Sequence, residues 1–295
     1  MSPPIIPANP PDGLPSTPAS GAPLSGTLVL SPHSDDAALS VGGVVAGRLL
    51  PAPLRVLTLF GRSHYTREGG FGGDVEKVTA LRIREDRAWS RTVGARLESW
   101  TLPEALLRPD EPSIFAEATM RAPREPVPRW LRAPLSALLR NTRPKVVAVP
   151  LGLGDHRDHL QTRRAAIDGI ATLPASLRPR LVFYEDLPYA SRLSEGGIRS
   201  RVAAVDPGLR PVWLRLGDAL GAKIDALRCY PSQLEEEDLR AVRRHALRWS
   251  RLGLGPCERL WSVAPPGSWL RPGMRNLPPT PPRSSNPRRH RGGPT

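Results

Sequence analysis

The sequence predicts an α/β fold with a Rossmann-like, mostly parallel sheet and helices on both faces. Three observations lead there. Short apolar runs alternate with amphipathic stretches of helical period along the chain. The runs Thr27–Leu30 and Lys145–Val149 are almost continuously apolar, as strands covered on both faces are. Clusters of His and Asp stand directly behind both runs, where loops leave the carboxyl ends of strands.

In chain order, the strand Thr27–Leu30 runs into Ser31-Pro32-His33, and Ala37–Leu50 follows as a helix with Leu39, Val44, Val45 and Leu49 on apolar faces. Leu54–Phe60 is a second buried strand, and Val75–Val93 a long amphipathic helix carrying Val78, Leu81, Ile83 and Trp89. Leu97–Leu102 is a third strand. A Pro-rich interval precedes a helix over Arg129–Arg140, then the strand Lys145–Val149 and a helix near Asp158–Ile170. Leu181–Tyr184 and Arg201–Val205 read as strands, Leu214–Tyr230 and Leu234–Ser250 as helices, and Leu260–Val263 as the last strand. No internal repeat is visible.

Pro (36) and Gly (26) concentrate toward the ends of the 295-residue chain. Three segments are expected: a disordered Pro-rich 1–25, one catalytic-size domain over 26–266, and a disordered basic tail over 267–295. The net charge is +14, but it comes from scattered Arg and from six arginines in the last twenty-five residues. Neither a basic stripe on a recognisable module nor aromatic interleaving accompanies it, so nucleic-acid binding is not expected. Cys229 and Cys257 form no paired spacing, which argues against a disulfide framework or a cysteine-rich metal module. With no signal-peptide pattern and no apolar run of membrane-spanning length, the expected location is cytoplasmic. Oligomeric state is not legible.

The first chemical cluster is His33, Asp35 and Asp36, packed between a strand and a helix. Helix capping accounts for one acid, but two adjacent carboxylates repel and favour a cation beside them. One His nitrogen and one Asp oxygen suit zinc, with the other Asp left for proton transfer. At this point capping and metal binding stand level.

The second cluster is His156, Asp158 and His159, after Gly152-Leu153-Gly154. Alone it reads equally as a surface HxxH on a helix start. If both clusters meet across the top of one sheet, they supply three ligands and an open fourth position, the pattern of a catalytic zinc site. A dinucleotide loop is excluded because Arg157 occupies the third glycine position, and no Walker sequence occurs.

These residues resemble the LmbE-like de-N-acetylases, the family of the GlcNAc-phosphatidylinositol de-N-acetylase (PIG-L). The family's strand followed by H-P-D-D-E is matched by His33-Ser34-Asp35-Asp36-Ala37, and its H-x-D-H by His156-Arg157-Asp158-His159. Its R-x-x-E helix is matched by Arg82-Ile83-Arg84-Glu85, with Gly94-Ala95 at the helix end, and its K…Y-x-S-Q by Lys223, Tyr230 and Ser232-Gln233. The likeness runs from about residue 26 to residue 264. Ser34 stands where the family has Pro, and Ala37 where it has Glu.

The resemblance implies a zinc-dependent deacetylase that hydrolyses the N-acetyl amide of an amino sugar or glycoconjugate. His33, Asp36 and His159 would ligate one Zn2+ per chain, other divalent metals being possible. Asp35 would be the general base, His156 the electrostatic or general-acid partner, and Asp158 its orienting residue. Arg62, His64, Glu185, Asp186 and Tyr189 follow strands and are expected at the substrate mouth. The alternative is a zinc-binding or basic interaction protein without hydrolysis.

Overall fold

The computed structural model describes residues 26–67, 73–108, 127–250 and 253–270. The expected Pro-rich segment 1–25, and the basic tail beyond residue 270, lie outside the described residues. The elements run β1 (Thr27–Ser31), α1 (Asp36–Ala46), β2 (Leu54–Thr58), α2 (Val75–Val93), β3 (Arg96–Ser99), α3 (Arg129–Thr142) and β4 (Val146–Pro150). Then follow α4 (Arg157–Ala171), β5 (Arg180–Tyr184), α5 (Glu195–Val205), β6 (Arg210–Arg215), α6 (Ala219–Leu227), α7 (Glu236–Leu247) and β7 (Cys257–Ser262).

The strands form one seven-stranded sheet in the order β3-β2-β1-β4-β5-β7-β6. The first five in that order pair in parallel, and β7 pairs antiparallel with both β5 and β6. β1 and β4 are buried along their whole length and form the floor of the core. The chain leaves β1 toward β2 and β3, then returns to lay β4 on the other side of β1. Right-handed crossovers therefore put α1 and α2 on one face and α3 and α4 on the other. The strand order reverses between β1 and β4, and the crevice at their carboxyl ends is the usual ligand position of such sheets.

Arg201–Val205 is not a strand. It is the second half of α5, which starts where the Ser194 hydroxyl accepts the Gly197 N–H. The strand lies at Arg210–Arg215, where Val212, Trp213 and Leu214 are buried against β7. Pro211 is tolerated because β6 is an edge strand. The helix expected from Leu214 accordingly begins at Ala219. Among the described residues no helix is long and apolar enough to cross a membrane.

A buried ion pair holds α1, the helix that begins with Asp36. Lys223 on α6 donates to Glu258 on β7 at 2.7 Å and to the Leu39 carbonyl at 2.5 Å. The Glu258 oxygens in turn accept the N–H groups of Gly43 and Val44 at 2.9 and 2.7 Å. Only glycine allows that approach: a Cβ at Gly43 would stand 2.7 Å from Leu216 and 3.0 Å from Glu258. Glu258→Ala leaves a buried ammonium without its partner and should cost about 3–5 kcal/mol in denaturant unfolding. A loss below about 1 kcal/mol would show that the pair does not hold α1.

Candidate active site

β1 ends at Ser31, and its hydroxyl accepts the Ala37 N–H at 3.0 Å, so a serine serves the first turn of α1. Asp35, at the N-cap position, makes no side-chain cap bond. Capping therefore does not account for the acidic pair. Asp36 turns inward, and its Oδ2 accepts the His33 N–H at 2.9 Å and faces His33 Nδ1 at 3.0 Å. The same oxygen faces His159 Nε2, from the start of α4, at 3.2 Å.

The far nitrogen of each ring is also held by a carboxylate. His33 Nε2 donates to Asp158 Oδ2 at 2.8 Å, and His159 Nδ1 donates to Asp186 Oδ1 at 2.6 Å. A carboxylate on one ring nitrogen fixes the tautomer and leaves the other nitrogen with its lone pair toward Asp36. Two lone pairs and a carboxylate oxygen meeting at one point require a cation between them. In the metal-free chain protons supply it. Burial opposes charge on His33, but hydrogen bonds to Asp158 and Asp36 outweigh it and lift its pKa to about 9. Burial likewise opposes charge on His159, and Asp36 and Asp186 drive its pKa well above the usual histidine range.

A metal fits the same place. One donor atom each from His33, Asp36 and His159 lies within 4.8 Å of the others. The 3.0 and 3.2 Å separations at Asp36 Oδ2 are close to the ligand–ligand edge of about 3.3 Å that bonds of about 2.0–2.1 Å give in a tetrahedral site. All three residues are buried, as a preorganised metal site requires.

His156 caps α4, and its Nδ1 accepts the Asp158 N–H at 3.2 Å. The neutral ring therefore carries its proton on Nε2. Burial, and the charge on His33 and His159, push its pKa down to about 3. In the metal-free chain His156 is therefore a neutral hydrogen-bond donor. Asp158 orients it through backbone, while the Asp158 carboxylate takes His33, the Ala105 N–H at 3.0 Å and Arg108 at 2.7 Å.

These groups border a cleft of about 300 Å³ that also includes Asp35, Arg82, Glu104, Tyr189 and Gln233. Arg82, on α2, lies 3.6 Å from Asp35 and 3.7 Å from Glu104, and donates to Ser63 at 3.0 Å. Burial raises the Asp35 pKa, with Arg82 pulling it back. Farther along α2, Glu85 accepts the Ser232 N–H and hydroxyl, and Asp86 accepts the hydroxyls of Tyr230 and Thr58. The Arg82–Glu85 and Tyr230–Gln233 segments thus meet to form one wall.

Of the residues expected at the substrate mouth, Tyr189 lines the cleft. Arg62 pairs with exposed Glu76 at 3.2 Å, and His64 faces Glu104 at 3.6 Å. The other two are placed away from the cleft lining. Glu185 is buried, and its carboxylate takes Arg259, His245 and the Trp261 indole N–H. Asp186 is fully buried behind His159, and its second oxygen accepts the N–H groups of Gly152 and Leu153 at 2.7 and 3.1 Å. Gly152 sits at φ 75°, and a Cβ there would meet Leu160 at 2.6 Å, so this turn around Asp186 needs glycine. Arg82 and Gln233 were matched to family motifs in the sequence but given no site role, and Glu104 was not singled out. A charged residue on the apolar stripe of α2 was the available signal for Arg82.

Residues 28–170 match the family model of PIG-L, GlcNAc-PI de-N-acetylase. The matched stretch resembles a PIG-L domain. Both His/Asp clusters lie inside the matched region. The chain is 29% identical over 273 residues to the 2'-N-acetylparomamine deacetylase of Streptomyces fradiae, covering 82% of this chain and 91% of that protein. Its fold is similar to that of the A40926 pseudoaglycone deacetylase Dbv21, with a TM-score of 0.59, 23% identity, and coverage of 81% and 96% of the two chains. A zinc-inhibited form of the teicoplanin deacetylase Orf2 gives a TM-score of 0.59, 22% identity and 80% and 96% coverage. Asp186→Asn, which releases the His159 ring, should lower affinity for added zinc about 10–100-fold. Calorimetric titration reads this, and unchanged affinity would contradict the placement.

Proposed function

We propose that this chain is a metal-dependent N-deacetylase acting on an N-acetylated amino sugar, free or within a glycoconjugate. The observation that carries the reading is the convergence of His33, Asp36 and His159 on one point, with Asp35, which makes no helix-cap bond, beside it in an open cleft. Two histidines and one carboxylate with an open side are the donor set of catalytic rather than structural zinc. The similarity to a deacetylase of an acetylated amino sugar supports the substrate class.

A divalent ion held by these three residues would supply Lewis acidity to the amide carbonyl and acidify water there. Asp35 takes the proton from the attacking water. Its raised pKa suits a group that must then return that proton, and the leaving amine receives it as the C–N bond breaks. His156 donates its Nε2–H to the oxygen that becomes negative as the carbonyl carbon turns tetrahedral. Amide and water are consumed, and acetate and amine are formed.

Amine release from N-acetylglucosamine should disappear when the protein is treated with a chelator and return when zinc is added. Asp35→Asn should retain the metal while lowering kcat at least about 10²-fold. Turnover by Asp35→Asn within tenfold of the parent chain would remove Asp35 from the chemistry.

A further inference from the structure

The substrate class can be narrowed from the walls of the cleft, an inference that rests on the deacetylase reading. Four large hydrophobic side chains stand exposed among the described residues, and two of them, Tyr65 at 51% and Leu106 at 53%, line this one cleft. Pro188 and Tyr189 add further apolar surface to the same lining.

Both exposed side chains stand on anchored backbone. The Tyr65 carbonyl accepts from Gln233 Nε2 at 3.3 Å, its N–H donates to Ser63 Oγ at 3.0 Å, and the Arg67 N–H donates to the Ser232 carbonyl at 2.9 Å. Leu106 follows Ala105, whose N–H is held by Asp158, and precedes the turn anchored by Arg108 on Asp158 and on the Pro103 carbonyl. An apolar side chain left in water on a fixed backbone is preorganised for a ligand, since little ordering remains to be done on binding.

Charge excludes another class. The chain has 42 Lys and Arg, yet Arg82 alone of these residues lines the described cleft. Arg82 is buried and committed to Ser63, Asp35 and Glu104. Nearby arginines are engaged too: Arg62 with Glu76, Arg67 with Glu235 and Asp238, and Arg108 with Asp158. Asp35, Asp36 and Glu104 face the same space. Among the described residues, a phosphate beside the sugar would meet carboxylates and no uncommitted guanidinium.

We propose that the substrate is an N-acetylated amino sugar bearing an uncharged aromatic or apolar aglycone, with Tyr65 and Leu106 as the residues that select it. Tyr65 and Leu106 line the cleft and are half exposed, so the aglycone stacks on them while the sugar amide reaches Asp35. The amine-bearing product keeps the same aglycone and the same contacts.

The test compares three probes on the zinc-loaded full chain: N-acetylglucosamine, its 4-nitrophenyl glycoside and its 1-phosphate. The expected kcat/KM is at least about tenfold higher for the aryl glycoside than for the free sugar, and lowest for the phosphate. Calorimetry on the corresponding deacetylated glycosides should give the same order of affinity. Tyr65→Ala and Leu106→Ala should each raise KM for the aryl glycoside and shrink its advantage over the free sugar. Equal kcat/KM for aryl glycoside and free sugar, a preference for the phosphate, or an equal loss on all probes in both variants would overturn the proposal with the deacetylase reading intact. No turnover of any probe, with zinc bound, would overturn both.

Discussion

Everything around the site depends on one oxygen. Asp36 Oδ2 faces a nitrogen of each of two imidazoles, and each of those rings has its opposite nitrogen clamped by another carboxylate. Such a cluster is costly to bury unless positive charge sits at its centre. Protons and a divalent metal both meet that need. The surrounding fold keeps this arrangement from collapsing.

Parallel pairing of β1 and β4 sets the distance between the two clusters. His33 leaves the end of one strand and His159 follows the end of its neighbour, so the crevice between strands becomes the site. The turn 151–155 wraps Asp186, which reaches in from beyond β5. On the other side, the glycines of α1 admit the Lys223–Glu258 pair, which fixes the helix that carries Asp36. The stability of the fold and the geometry of the site are thus coupled through α1. Damage at Glu258 reaches Asp36 through a single helix.

The strands beneath the site were legible because β1 and β4 are buried on both faces and read as unbroken apolar runs. The His/Asp clusters were legible because each follows such a run. Other features lie beyond local pattern. Arg201–Val205 has a composition that suits strand and helix alike, and the serine cap before it decided for helix. Glu185 and Asp186 are adjacent acids after one strand, so alternation sends them to opposite sides, one to Arg259 and one to His159. Nothing in the spacing reveals that Asp158 spends its carboxylate on His33, 125 residues away in the chain, and reaches His156 through its N–H.

Zinc binding is the decisive property if Asp36, His33 and His159 hold a metal ion. Zinc titration of the metal-stripped full chain, followed by calorimetry and repeated with Asp36→Ala, tests it most directly. The expected result is saturable binding of one ion per chain that is lost in the variant. Absence of saturable binding, or equal binding after Asp36 is removed, would contradict it.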